Sequence, residues 1–163
     1  MQTFLPYSDF EKSAESLDKK RCWKQVVEVK QIICTLRMGN LPQEWKESKD
    51  YINQKFINHP AVQMWVGDEK FLKYYYNIFL QCCLEKWKIN TKLNYLTIIW
   101  YSTEKLKFNL PFWLGNEQFH RAMRSRLIEK DEQFYLPQFP EDKGYNDGKY
   151  WWPEMKTKTF KII

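Results

Sequence analysis

The chain has 163 residues, of which 44% are hydrophobic and 18% aromatic, and its formal charge is +6. This length predicts one domain, residues 1–163. The chain has no apolar run of ~20 residues and no signal-peptide pattern at its start, which excludes membrane-spanning and secreted proteins. We therefore expect an intracellular protein, cytoplasmic or nucleoid-associated, whose positive charge favours a polyanion, either nucleic acid or an anionic membrane surface.

Two helices are predicted near the N-terminus. Ser8-Asp9-Phe10-Glu11 has the form of a capping box and predicts a helix to about Lys19. A second helix is predicted over about 20–37, ended by Gly39 to Pro42. Its apolar residues recur at steps of three and four, which indicates a core-facing stripe. They are Cys22, Val26, Val29, Ile33 and Leu36.

The middle of the chain alternates weak and strong helical patterns. Residues 43–58 are polar and weakly helical and are expected to be rich in loops, and His59-Pro60 predicts a short helix to Trp65. Asp68 is expected to cap the longest helix, 69–88. Its apolar face is predicted to contain Phe71, Tyr75, Ile78 and Cys82, with Leu72 and Phe79 beside them. Thr91 predicts a further helix through Tyr101, or a strand, because Thr97-Ile98-Ile99 is a β-branched run.

The last predicted helix is followed by an irregular segment. Asn116 is expected to cap a helix to about Lys130 that turns Phe119, Met123 and Leu127 inward. From Asp131 onward prolines, glycines and aromatic residues break every periodic pattern, and so many rings would not stay solvated. The expected fold is all-α, a single compact helical domain with an irregular aromatic-rich C-terminal wrap.

The cysteines do not form a metal-binding pattern. Cys22, Cys34, Cys82 and Cys83 include no CxxC pair, and the chain has only two histidines. We interpret all four as buried or half-buried thiols in a reducing compartment, and we expect no metal and no cofactor.

The polar face of the second helix carries the first candidate for chemistry. Arg21, Gln25 and Glu28 follow each other at steps of four and three, and Lys24 lies one turn before Glu28. A carboxylate among basic and amide groups stays ionised and can accept a proton. Arg21, Lys24 and Gln25 on the same side are candidates for contacts to DNA. The residue pattern alone favours a solvated face with an ordinary Lys24–Glu28 pair, worth only ~0.3–0.5 kcal/mol.

Basic and aromatic residues elsewhere suggest contacts to nucleic acid. His120, Arg121, Arg124 and Arg126 on the last helix have the character of phosphate-contacting groups, or of a solubilising basic face. His59 beside Met64-Trp65 suggests a base-binding pocket, although such a segment often only packs. Trp151 and Trp152 are candidates for base stacking, or form an aromatic lid over the core.

Three segments resemble the pyrimidine-dimer DNA glycosylase family, whose prototype is the small phage endonuclease V. They are Met1 to Pro6, Leu17 to Glu28, and Asn58 to Trp65. A later block, from Trp113 to Tyr135, is similar only to uncharacterised bacterial and viral relatives of that family.

The resemblance implies a specific chemistry. Members are all-helical, need no metal, and excise a damaged pyrimidine from duplex DNA while a base is flipped out of the helix. Their nucleophile is the α-amine of the first residue, here Met1, which attacks the sugar C1′ and forms a Schiff base. An essential glutamate falls by position on Glu28. An α-amine suits this work because its ordinary pKa, about 7.7–8.0, leaves part of it neutral near pH 7.

The chain departs from the prototype at two positions. The prototype exposes a threonine amine after losing its methionine, whereas a methionine before Gln2 is normally retained. The prototype also has an arginine where this chain has Val27, and Arg21 or Lys24 could replace its charge. Three alternatives follow: a glycosylase without lyase activity that activates water through Glu28, a non-catalytic nucleic-acid-binding protein, or an aromatic-rich protein–protein adaptor.

Overall fold

The computed structural model describes residues 1–98 and 110–163, which form a mainly helical fold. The helices are α1 (Phe10–Ser16), α2 (Lys19–Thr35), α3 (Gln43–Lys46), α4 (Lys49–Asn53), α5 (Pro60–Gln63), α6 (Glu69–Glu85), α7 (Glu117–Lys130) and α8 (Glu132–Tyr135). Two 3-10 turns, Pro140–Asp142 and Tyr145–Gly148, lead to an antiparallel hairpin of β1 (Trp151–Glu154) and β2 (Thr159–Ile162).

The centre of the core is the packing of α2 against α6. Asp18 caps α2 by accepting a hydrogen bond from the backbone N–H of Arg21. Four members of the predicted stripe, Cys22, Val26, Val29 and Ile33, are fully buried, and the fifth, Leu36, is half-buried. On α6, Tyr75 and Ile78 of the predicted face are buried, but Phe71 and Cys82 are only half-buried. Its fully buried residues are Leu72, Tyr75, Tyr76, Phe79, Leu80 and Cys83.

One local prediction in the N-terminal half needs correction. The cap of α1 is Asp9 and not Ser8, because the Asp9 carboxylate accepts from the backbone N–H of Lys12 at 2.8 Å. Residues 43–58, which the sequence predicts to be weakly helical and rich in loops, include the short helices α3 and α4. At α5 the prediction is confirmed: His59 caps the helix, and its Nδ1 accepts from the backbone N–H of Ala61.

The helix predicted from Thr91 is wrong over residues 91–98, which adopt neither helix nor strand. The side-chain amide of Asn77 on α6 binds both polar backbone groups of Leu96, at 2.7 and 2.8 Å. The Tyr76 hydroxyl also donates to the carbonyl of Asn94. Side chains of α6 therefore satisfy backbone groups that a helix would have paired internally. The remainder of that prediction, residues 99–101, lies outside the described residues.

The C-terminal third contains one predicted helix and one unpredicted hairpin. Asn116 caps α7 as expected, and Phe119, Met123 and Leu127 are buried against the core. The all-α expectation is wrong at β1 and β2, where Trp152 pairs with Lys161. Thr159 to Ile162 of β2 alternate polar and apolar residues, but β1 does not alternate and contains Pro153, so the sequence pattern did not indicate a hairpin.

Two further findings concern the described residues 1–98 and 110–163. None of their helices is both long and apolar enough to cross a membrane. The four cysteines carry free thiols, as predicted, with Cys82 half-buried and the other three buried.

Candidate active site

The N-terminal segment, residues 1–6, runs through the interior and meets α2. Thr3 and Leu5 are fully buried, and Gln2 is only 7% exposed. The backbone N–H of Gln2 donates to Oε2 of Glu28 at 3.2 Å, and that of Phe4 donates to Oε1 of Gln25 at 2.7 Å. Side chains of one helix therefore hold the start of the chain against that helix.

This arrangement places the Met1 α-amine beside Glu28. The amine nitrogen lies 3.9 Å from Oε1 of Glu28, and Nζ of Lys24 lies 3.7 Å from the same oxygen. The Glu28 side chain is 12% exposed, whereas that of Lys24 is 64% exposed. The proximity of the N-terminus and Glu28 expected from the sequence is present, at a distance that one proton transfer through water can bridge.

The amine and the carboxylate line an open pocket of about 330 Å³. This volume lies within the range of small-ligand sites, roughly 300–1,000 Å³. The lining residues are Met1, Gln2, Phe4, Lys20, Arg21, Lys24, Gln25, Glu28, Lys130 and Tyr150. Glu28 is the only acid among these described residues, so the pocket is strongly cationic and would attract a phosphodiester.

Sequence reasoning missed five members of this lining, of which Gln2 and Phe4 directly follow the predicted nucleophile Met1. Lys20 lies one turn before Lys24 on α2, and that spacing could have identified it. Lys130 ends α7 and Tyr150 precedes β1, so both reach the pocket from distant parts of the chain. No local pattern brings them to α2, because their approach depends on tertiary packing.

Gln25 has a different role from the one its helical position suggests. The sequence predicts that it contacts DNA from a solvent-facing surface, but its side chain is fully buried. Its Oε1 accepts from the backbone N–H of Phe4 and from the Tyr75 hydroxyl, at 2.7 and 2.9 Å. Gln25 lines the back of the pocket and holds the N-terminal segment.

Arg21 lines the same pocket but is tied to the C-terminal part of the chain. Its guanidinium donates to Oδ2 of Asp18 and to the carbonyl of Lys130, and lies over the ring of Tyr135. Burial alone would raise the pKa of Asp18, but hydrogen bonds from Tyr135 and Arg21 outweigh it and lower that pKa. Part of the charge of Arg21 is therefore neutralised within the protein.

His59 lies close enough to the candidate site to sense its charges. Burial lowers the pKa of His59, the positive α-amine lowers it further, and Glu28 raises it. The imidazole ring meets that of Trp152 edge-on, with centroids 6.1 Å apart. Its neutral form is therefore favoured, next to the ring of Trp152. Met64 and Trp65, the neighbours that the sequence suggested for His59, are fully buried in the core.

Two groups predicted to contact DNA point into the protein. His120 is 2% exposed, and its Nδ1 lies 2.7 Å from the carbonyl oxygen of Leu5. Arg124 is 9% exposed and donates to the carbonyl of Pro6 at 2.8 Å, while Asp142 and Glu117 pair with its charge. Their hydrogen bonds are directed at the N-terminal segment, so the structure does not offer them to a phosphate.

The other arginines of α7 bind the C-terminal segment. Arg121 pairs with Asp142 at 2.7 Å and covers the ring of Tyr145 at 4.2 Å. Arg126 pairs with Glu129 and covers the pocket residue Tyr150 at 4.3 Å. The arginines expected to form a basic face on α7 are therefore paired with carboxylates of α7 and of the segment after it, and two of them lie over rings of that segment.

The two adjacent tryptophans of β1 are not equally available. Trp151 is half-buried, with its ring 5.4 Å from that of Phe160. Trp152 is 7% exposed and stacks on Tyr150 at 5.3 Å. Trp152 therefore packs against both Tyr150 and His59, and Trp151 is the more accessible of the two tryptophans.

In residues 1–98 and 110–163, no group of three histidines, cysteines or carboxylates is arranged to hold a metal ion.

Comparison with known proteins agrees with the geometry. The model of one family, pyrimidine dimer DNA glycosylase, matches residues 1–95, which is more than half of the chain. The match covers Met1, Glu28 and His59 and ends before α7. Neither the curated proteins nor the solved structures gave a match. On the strength of the family match, the chain belongs to the pyrimidine dimer DNA glycosylase family.

Proposed function

We propose that the protein is a DNA glycosylase with AP-lyase activity that excises a damaged or modified pyrimidine flipped out of duplex DNA. The Met1 α-amine would be the nucleophile and Glu28 the proton acceptor. One observation carries the proposal: in a member of this family, the amine lies 3.9 Å from Glu28 inside a cationic pocket. Such an enzyme would act inside the cell, where its duplex DNA is.

The proposed reaction begins with attack of the neutral amine on C1′ of the flipped nucleotide. The bond from C1′ to the base nitrogen breaks, and its electron pair leaves with the base, which takes up a proton. Glu28 stabilises the positive charge on the sugar and accepts a proton from the attacking amine. Opening of the sugar ring gives the Schiff base, and proton loss from C2′ then eliminates the 3′ phosphate.

The surrounding groups would hold the DNA backbone. Lys20, Lys24 and Lys130 line the pocket and would attract the phosphates next to the flipped nucleotide. The neutral imidazole of His59 and the ring of Tyr150 offer flat surfaces close to the position of the sugar. Glu28 keeps its orientation because the backbone N–H of Gln2 donates to Oε2.

A borohydride experiment tests the amine mechanism. Protein mixed with a duplex that contains an abasic site is treated with sodium borohydride, which reduces a Schiff base to a stable crosslink. We expect wild-type protein to be trapped and protein with an acetylated N-terminus to escape. Base release without trapping would favour a mechanism in which Glu28 activates a water molecule. If no damaged or modified duplex loses a base, the protein is better interpreted as a non-catalytic nucleic-acid-binding protein.

Glu28→Gln tests whether base release needs the carboxylate of Glu28. The amide oxygen can still accept from the Gln2 N–H, so we expect an unchanged fold and equal or tighter DNA binding. Base release should fall by about 10²–10⁴-fold, because an amide neither accepts a proton nor offsets positive charge. Glu15→Gln, in a separate pocket between α1 and α6, is the matched control and should keep full activity. Full activity of Glu28→Gln would remove Glu28 from the mechanism.

A further inference from the structure

We infer that α7, which lies beyond the residues matched by the family model, fixes the position of the nucleophile through His120 and Arg124. Both act as positioning residues for the Met1 amine, and this inference rests on the proposed function. The two side chains bind the last two carbonyls of the N-terminal segment, those of Leu5 and Pro6.

The segment is held one residue after another. Glu28 binds the Gln2 backbone, and the Trp65 indole N–H donates to the Thr3 hydroxyl at 3.2 Å. Gln25 and Tyr75 bind the two polar backbone groups of Phe4. His120 then binds the Leu5 carbonyl, and Arg124 binds the Pro6 carbonyl. Chain termini ordinarily fray, so this series of bonds is what orders residues 2–6.

Both α7 groups are themselves rigidly held. Carboxylates of Asp142 and Glu117 pair with the Arg124 guanidinium on separate nitrogens, which leaves NH1 for Pro6. The backbone N–H of Gly115 donates to Nε2 of His120 at 3.0 Å. A backbone N–H can only donate, so Nε2 is the unprotonated nitrogen and Nδ1 carries the proton that binds Leu5.

Burial keeps this imidazole in the form that the contact needs. Burial lowers the pKa of His120, and the charge of Arg124 adds to that effect, while the Leu5 carbonyl and Glu117 oppose it. A neutral ring with its proton on Nδ1 therefore bridges Gly115 and Leu5. Displacing the reacting atoms by about 1 Å can cost ~10²-fold in rate, so loss of this bridge should appear in catalysis.

Two substitutions of His120 separate its two hydrogen bonds. In His120→Asn the amide nitrogen takes the place of Nδ1 and can donate to Leu5. In His120→Gln the amide oxygen takes the place of Nε2 and can accept from Gly115, but the Leu5 bond is broken. We expect His120→Gln to slow single-turnover trapping on abasic DNA by roughly 10–100-fold at unchanged apparent KM, and His120→Asn to stay within about threefold of wild type.

The arginines of α7 provide a matched pair. Arg124→Ala and Arg121→Ala each remove one partner of Asp142, but only Arg124 contacts the N-terminal segment. Arg124→Ala should slow trapping at unchanged apparent KM, and Arg121→Ala should not. If His120→Gln is too unstable to purify, this pair still decides the question.

Amide hydrogen exchange of residues 2–5 measures the positioning independently of activity, since Pro6 has no backbone N–H. We expect faster exchange there in His120→Gln and Arg124→Ala than in His120→Asn and Arg121→Ala. Equal exchange and equal trapping in all four variants would overturn the inference and leave the proposed function standing. If wild-type protein is neither crosslinked to abasic DNA nor able to release a base, the proposed function is wrong. The exchange pattern still shows in that case whether α7 orders the N-terminal segment.

Discussion

Gln25 shows how one buried amide orders a chain terminus. It lies on α2 at a step of four from Arg21, where helical spacing predicts a solvent-facing position. Yet its side chain is fully buried, because the N-terminal segment and Tyr75 cover this part of the helix. The polar side chain of Gln25 is therefore a hydrogen-bond acceptor inside the protein, and the buried Phe4 N–H needs that acceptor.

Gln25→Met tests this internal role. Methionine fills a similar volume but accepts no strong hydrogen bond, so the Phe4 N–H would be without its partner. We expect the free energy of unfolding, measured with urea, to fall by about 1–3 kcal/mol. Lys24→Met, at a 64% exposed neighbour, should change stability by less than about 0.5 kcal/mol. Unchanged stability together with weakened DNA binding would instead support the direct DNA contact that helical spacing predicts for Gln25.

The start of α6 carries a carboxylate in an unfavourable setting. Asp68 occupies the cap position but makes no capping hydrogen bond, and its Oδ2 is buried without a partner in the described part of the chain. Burial raises the pKa of Asp68 to about 6, although the nearby Lys158 acts in the opposite direction. The ionised form therefore destabilises the fold.

Asp68→Asn should stabilise the protein in a pH-dependent way. An unfolded aspartate has a pKa near 3.8, so between pH 3.8 and about 6 the folded state binds more protons. Stability of the wild type therefore falls as pH rises through this window. We expect Asp68→Asn to gain roughly 1 kcal/mol at pH 8 and almost nothing at pH 4, allowing for partial solvent screening.

Thermal unfolding at the two pH values measures this difference. Asp50→Asn, which removes a charge from the first turn of α4, is the control for a general charge effect. An equal gain from Asp68→Asn at both pH values would show that ionisation of Asp68 is not the cause.

At the scale of the whole molecule, lysines from two distant helices meet in the pocket between α2 and the end of α7. Lys20 and Lys24 come from α2, and Lys130 comes from α7. The arginines of α7, by contrast, are paired with the carboxylates of Asp142, Glu117 and Glu129. DNA binding should therefore depend on the pocket lysines more than on the arginine-rich helix.

The salt dependence of binding to duplex DNA tests this distribution. Lys20→Gln with Lys24→Gln should reduce the slope of log Kobs against log salt by about two, because each lysine that neutralises a phosphate adds roughly one to that slope. Lys86→Gln, in the separate pocket between α1 and α6, should leave the slope unchanged. Arg121→Ala should also leave it unchanged. A slope that falls with Arg121→Ala and not with the lysine pair would place the DNA on α7.

The sequence alone determined the elements whose signals are local. Side-chain periodicity located α2, and Asn116 and His59 marked the starts of α7 and α5. Segment resemblance pointed to the glycosylase family and to the pairing of Met1 with Glu28, and the family match and the 3.9 Å distance agree with both. Helix caps and amphipathic patterns depend on residues that are close in sequence, so a single sequence reveals them.

Only the tertiary structure decided which polar side chains face solvent. Gln25, His120 and Arg124 have residue types typical of surfaces, but each binds a backbone group of residues 4–6. Those partners lie 21 to 118 positions away in the chain. Burial of a polar group depends on whether a distant segment supplies its hydrogen bonds, and no local pattern carries that information.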